Sequence, residues 1–192
     1  MPEYDPPPSL SQASPSRQTQ KGNPVEFNKT TSNPMLMGTI QLVKADPSQE
    51  HKNMFIMELM KAQFMAPVLV TPQPEVDAEG KAKLVPGSKV QFPMLTAPDG
   101  KHFFMAFTDK MEFKSFKEEE NAPFCALNVE EYAGMVLRKD SQAAGVVINP
   151  KSDNMILPKE MLASLMAAKI AKIKAEQEKR NGGQNQDAGT KA

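Results

Sequence analysis

The chain carries two kinds of apolar spacing and one run with no spacing at all. Ala144-Gly145-Val146-Val147-Ile148 shows no polar alternation and is stopped by Asn149-Pro150. That pattern predicts a strand covered on both faces, around which the other elements are layered. Val90, Phe92 and Met94, and then Phe103, Met105 and Phe107, recur at every second position. A period of two predicts two strands, and Ala97-Pro98-Asp99-Gly100 supplies the turn that joins them as a hairpin. Pro93 has no N–H to give to a ladder, so its strand is expected at an edge or a bulge. Pro67 to Thr71 and Pro123 to Leu127 predict further short strands, and Asn154 to Leu157 a neighbour for the central one. Residues 73–86 mix acids, lysines and Gly80, which predicts a loop or a loose hairpin.

Helical spacing fills the intervals. Asn33-Pro34 predicts a helix start, with Asn as N-cap and Leu36, Ile40 and Val43 on one face. Asp46-Pro47 repeats that signal, and Met54, Met57, Met60 and Phe64 follow on what reads as the buried face of a second helix. The two helices are expected to form a hairpin on the sheet. Asp109 with Glu112 resembles a capping box, with Thr108 as the alternative cap, ahead of a short helix holding Met111, Phe113 and Phe116. Asn128 with Glu131 opens another, in which Val129, Tyr132, Ala133, Val136 and Leu137 share a face. Pro158 starts the last helix, whose stripe is Leu162, Leu165, Met166, Ile170 and Ile173. Beyond Ala175 the stripe gives way to charge and to Asn181-Gly182-Gly183, a helix stop.

These elements predict an α+β domain: one mixed sheet of about five to six strands packed with helices. It is expected over residues 33–175, between a disordered Pro/Ser-rich arm at 1–32 and a disordered polar tail at 176–192.

Charge removes several functional classes. Lys+Arg 23 against Asp+Glu 23 leaves a net charge of +0, so no global field draws in nucleic acid, and none is expected as a partner. The single cysteine, Cys125, excludes an internal disulfide and a Cys-based zinc site. No run approaches the roughly 20 apolar residues that cross a bilayer, and no secretion signal opens the chain. The expected location is the cytoplasm.

Candidate chemistry is sparse. Cys125 with His102 is the best pair for an enzyme, yet Phe124-Cys125-Ala126-Leu127 reads as an apolar strand and a nucleophile needs access and a base. Met35, Met37, Met54, Met57 and Met60 would suit a soft metal, but packing on helix faces explains them. Glu118, Glu119 and Glu120 form a run rather than two carboxylates at fixed separation. Gly182-Gly183 follows no strand, so there is no phosphate loop, and no cofactor or metal is expected. Lys169, Lys172, Lys174, Lys179 and Arg180 make the last helix basic, an alternative surface for an adaptor that binds partners or lipid.

Three passages together resemble one family: Phe64-Met65-Ala66-Pro67-Val68, the Asp99-Gly100 hairpin entering Phe107-Thr108-Asp109, and Gly145 to Pro150 followed by Ile156-Leu157-Pro158. They are similar to the N-terminal domain of the SseB family, named for enhanced serine sensitivity, over about residues 33 to 165. The resemblance implies a mixed α+β domain of poorly defined biochemical role with no established catalytic centre. Longer members carry a second, C-terminal domain; only a helix and tail follow Pro158 here, so roles that need that domain are not expected. Phe107, Thr108, Asp109, Asn149 and Pro150 are the candidate ligand- or partner-binding residues, because both turns lie where strands end. Capping and chain exit explain the same residues without any function. The expected partner is another protein or a small regulatory ligand; the oligomeric state is open.

Overall fold

The computed structural model of the 192-residue chain describes residues 10–11, 29–72, 75–76, 82–83, 87–116 and 122–183. In chain order these form β1 (Leu10–Ser11), α1 (Pro34–Ala45), α2 (Gln49–Leu59), β2 (Gln63–Pro67), β3 (Leu69–Thr71), β4 (Glu75–Val76), β5 (Ala82–Lys83), β6 (Lys89–Gln91), β7 (Met94–Thr96), β8 (His102–Ala106), α3 (Lys110–Phe116), β9 (Phe124–Asn128), α4 (Val129–Val136), β10 (Ala143–Ile148), β11 (Met155–Pro158) and α5 (Lys159–Gly183).

Five strands make the main sheet in the order β1-β7-β8-β10-β11. β8 and β10 are parallel, and the other neighbours are antiparallel. The β2–β9 ribbon is stitched to the end of β8, where Met65 and Phe107 exchange N–H to O bonds of 2.9 and 3.1 Å. β3 pairs β6, and β4 pairs β5 as the loose hairpin read from residues 73–86. The fold is α+β with a mixed sheet, as the spacing predicts.

The alternation along β8 separates two cores. Phe104 and Ala106 join Val146, Ile148, Tyr132 and Leu162 in the larger one, beneath α1, α2, α4 and α5. Phe103, Met105 and Phe107 join Val147, Phe113 and Phe124 in the smaller one. There the rings of Phe107 and Phe113 lie 5.4 Å apart, edge to face, and those of Phe113 and Phe124 5.1 Å. β10 is therefore covered on both sides, which accounts for its unbroken apolar run. Tyr132 carries its hydroxyl into the larger core, where it donates to Met105 O at 2.8 Å. Burial pushes that phenol well above its ordinary pKa, so it stays protonated and remains a donor.

Local signals behave as their chemistry requires at two sites. Gly100 takes φ +81 in the β7–β8 turn, which Ala97 closes with a 2.8 Å bond to Lys101 O. Asn128 and Glu131 form a complete capping box at α4.

Elsewhere the structure corrects the expectation. α2 is capped by Ser48, whose side chain accepts from His51 N, rather than starting at Asp46. Its buried residues are Phe55 and Leu59; Met54 and Met57 are exposed, as is Met35 on α1, and Phe64 belongs to β2. The larger, stiffer Phe and Leu pair at i and i+4 sets the rotation of the helix. Val68 divides the strand expected over Pro67 to Thr71, and Phe92-Pro93 divides β6 from β7. α5 runs past Ala175 to Gly183, with Ile170 and Ile173 exposed rather than packed. Glu118, Glu119 and Glu120 lie outside the described residues.

Candidate functional site

Because β8 and β10 are parallel, their C-terminal ends emerge side by side. β8 continues through Phe107-Thr108-Asp109 into α3, and β10 through Asn149-Pro150 into the turn before β11. Asn149 N extends the ladder to Ala106 O at 2.9 Å. The Asn149 backbone then takes φ 47, a left-handed conformation that Asn tolerates better than most side chains. Its carbonyl accepts from Ser152 N at 3.1 Å and Asn154 N at 2.8 Å, closing the turn.

The side chain of Asn149 is spent inward. Its Oδ1 accepts from Thr108 N at 3.0 Å, and its Nδ2 donates to Thr108 Oγ1 at 2.9 Å and to Asp153 Oδ2 at 3.0 Å. Thr108 O accepts from Asn33 Nδ2 at 2.8 Å, and Asn33 also holds β2 through Gln63 O at 2.7 Å and Gln63 N at 3.3 Å. Asn33 stands at the N-cap position of α1 but makes no capping bond with its side chain. The sequence suggests a cap; the structure uses a clasp between α1, β2 and β8.

Three polar residues of the β10–β11 turn fasten the neighbouring helices. Asp153 Oδ1 accepts from Gln41 Nε2 at 2.7 Å and Lys44 Nζ at 2.9 Å, tying α1. Ser152 donates to Glu112 at 2.6 Å, and Lys151 donates to Ser115 O at 2.7 Å while lying 5.8 Å over the Phe116 ring, tying α3. Asp109 caps α3 by accepting from Met111 N at 2.7 Å and Glu112 N at 3.0 Å, so Asp109 rather than Thr108 is the cap.

The five residues singled out from sequence thus meet at one end of the sheet. Phe107, Thr108 and Asn149 are buried, the last two at 0% exposure, while Asp109 and Pro150 are half-buried. Around them Lys110, Met111, Lys151 and Ser152 are exposed, with Met111 83% exposed. Gln41, Lys44 and Asp153, which complete the arrangement, were not distinguishable in sequence from other surface residues.

Burial works against ionisation of Asp153, but the bonds from Lys44, Asn149 and Gln41 outweigh it and hold the carboxyl below its ordinary value of 3.8. A folded-state pKa below the unfolded one adds stability that is present above pH 3.8 and disappears as pH falls through the folded value. Asp153→Asn is therefore expected to flatten the acid limb of a stability–pH profile measured by urea unfolding. An acid limb identical to that of the wild type would show that Asp153 is not held ionised.

Cys125 and His102 are not brought together. Cys125 is wholly buried in β9 opposite Ala66, beside the Met65–Phe107 bridge. His102 begins β8, five steps or about 16 Å back along the strand, where its Nδ1 meets Thr96 Oγ1 at 3.1 Å. Among the described residues no group of three or more His, Cys, Asp or Glu could hold a metal ion. No described helix is long and apolar enough to cross a membrane.

Fold and site together define a mixed-sheet α+β domain whose two parallel strands end in a shared polar clasp. Residues 39–164 match the family described as SseB protein N-terminal domain, and the chain belongs to that family. The match runs from α1 into α5 and takes in the whole clasp except Asn33. No curated protein and no solved structure matches the chain.

Proposed function

We propose that this SseB-domain protein is a non-catalytic, cytoplasmic regulatory module that binds another protein or a small regulatory ligand. Binding falls on the rim around Phe107, Thr108, Asp109, Asn149 and Pro150. The observation that carries this reading is the convergence of both strand exits, β8 and β10, on one clasp. Thr108 and Asn149 have no exposed surface and act as positioning residues; contact belongs to Met111, Lys110, Lys151 and the half-buried Asp109 and Pro150. A methionine 83% exposed beside the exposed Lys110 at the start of α3 offers a soft apolar contact next to a cation, which suits an amphipathic partner surface.

Photo-crosslinking residues placed at Met111 and at Lys151 in the full chain test the reading in cells. The expected result is one common crosslinked species from both positions and none from Lys139, which lies in the turn at the opposite end of β10. Identical products from all three positions, or none from Met111 and Lys151, would contradict it.

A further inference from the structure

α5 outruns the domain it packs on. Along its apolar stripe the cover falls away: Leu162 is wholly buried, Met166 is half-buried, and Ile170 and Ile173 are 54% and 43% exposed. Every residue from Ile170 to Lys179 is exposed, although the helix continues to Gly183. That stretch is about 15 Å of helix with no domain beneath it. An isolated helix shorter than about 12–15 residues is marginal in water, because helical stability comes chiefly from packing an apolar face. Ile170 and Ile173, one turn apart, supply such a face.

The spacing on that side of the helix is that of a coiled coil. Ala163, Met166, Ile170, Ile173 and Gln177 follow one another at intervals of 3, 4, 3 and 4, which are the a and d positions of a heptad. Ala163 and Ala167 are exposed beside Met166, so the part of the seam nearest the domain is flanked by small side chains that leave room for a second helix. Charge then selects the occupant and its direction. Lys169 and Glu176 fall at successive g positions, and Lys174 falls at e. When two copies pair antiparallel, with Ile170 of each against Ile173 of the other, Lys169 stands opposite Glu176 twice and Lys174 meets Ala167. Parallel pairing instead sets Lys169 against Lys174 twice, like against like. Lys169 also donates to Glu130 of α4, which holds its cation at the domain end of the seam.

We propose that the free end of α5 is a dimerisation surface, on which the same helix of a second copy of this chain lies antiparallel. Ile170 and Ile173 of the two copies form the central layers, Met166 meets Gln177 on either side, and the Lys169–Glu176 pairs fix the direction. The contact is short beside the roughly 20–30 residues a side of a standard interface, so the dimer is a readily dissociating one. The surface is separate from the rim around Thr108 and Asn149, none of whose residues belongs to α5.

Sedimentation equilibrium of the full chain over about 10–500 μM reads the oligomeric state. The expected result is a monomer–dimer equilibrium with a dissociation constant below about 100 μM, weakened about tenfold or more by Ile170→Asp with Ile173→Asp. Both positions are exposed, so the double variant should keep the melting temperature of the wild-type monomer. Glu176→Lys should also weaken the dimer, because it sets cation against cation at both ends of the seam. Under mild oxidation, chains carrying Ile170→Cys and chains carrying Ile173→Cys should crosslink to each other faster than either does to itself; the native Cys125 is buried and takes no part. A chain that stays monomeric at the highest concentration, a dimer untouched by the double substitution, or faster crosslinking of like chains would overturn the proposal. So would a monomer that floats with vesicles of anionic lipid and loses that binding in the double variant, which assigns the isoleucines to a membrane surface.

Discussion

Replacing Gly145 with alanine is expected to lower the melting temperature by about 6–12 °C. Gly145 sits in β10 opposite Pro158 of β11, and a Cβ added there would lie 2.2 Å from Leu157 O and 3.1 Å from both Leu157 C and Pro158 Cα. These are backbone atoms, so no side chain can swing away to make room. β11 itself must shift, and with it the start of α5 and the buried Leu162. Overpacking that moves backbone costs about 3 kcal/mol at the upper end of its usual range. Each kcal/mol moves the melting point of a chain this size by roughly 2–4 °C. A shift below about 2 °C in a thermal unfolding scan would mean that β10 and β11 do not approach this closely.

Asn149→Ala is expected to cost about 3–4 kcal/mol in urea unfolding. The largest part is the buried Thr108 N–H, which loses its acceptor with the side chain; an unpaired buried donor costs about 1–3 kcal/mol. Alanine at φ 47 adds roughly 1–2 kcal/mol of backbone strain that Asn bears more easily. Asn149→Gly separates the two effects, since glycine takes the left-handed backbone freely while still losing the side-chain bonds. It should recover about 1 kcal/mol relative to alanine. A cost below about 0.5 kcal/mol for Asn149→Ala would show that the side chain is not the joint at this end of the sheet. Since the substitution weakens the fold, a loss of binding in it locates no contact. The exposed positions Met111 and Lys151 are where contact is to be read.

The chain shows in sequence whatever depends on near neighbours. The β10 run, the Asp99-Gly100 hairpin and the Asn128–Glu131 capping box each need only a few consecutive residues, and each appears where its spacing places it. What depends on distant partners is hidden. Asn33-Pro34 has the local form of a helix cap, yet the Asn33 side chain bonds residues 30 and 75 positions away, which no local spacing encodes. The rotation of α2 is hidden for another reason: Met54, Phe55, Ile56, Met57 and Leu59 stand so close together that they do not mark one face, and packing against the larger core selects Phe55 and Leu59. In the site, Thr108 and Asn149 were visible as strand-end residues. Asp153 was not, because its role comes from Gln41 and Lys44 on a helix more than a hundred residues upstream.

Asn149 and Thr108 form one joint between the two strand exits, and that joint fixes the rim around it. Native-state amide exchange at Thr108 N–H measures this directly, since that hydrogen bonds to the Asn149 side chain rather than to a strand ladder. A rigid joint requires Thr108 to exchange as slowly as Val146, Val147 and Ile148, by global unfolding alone. Exchange by local opening, well ahead of those β10 amides, would contradict it.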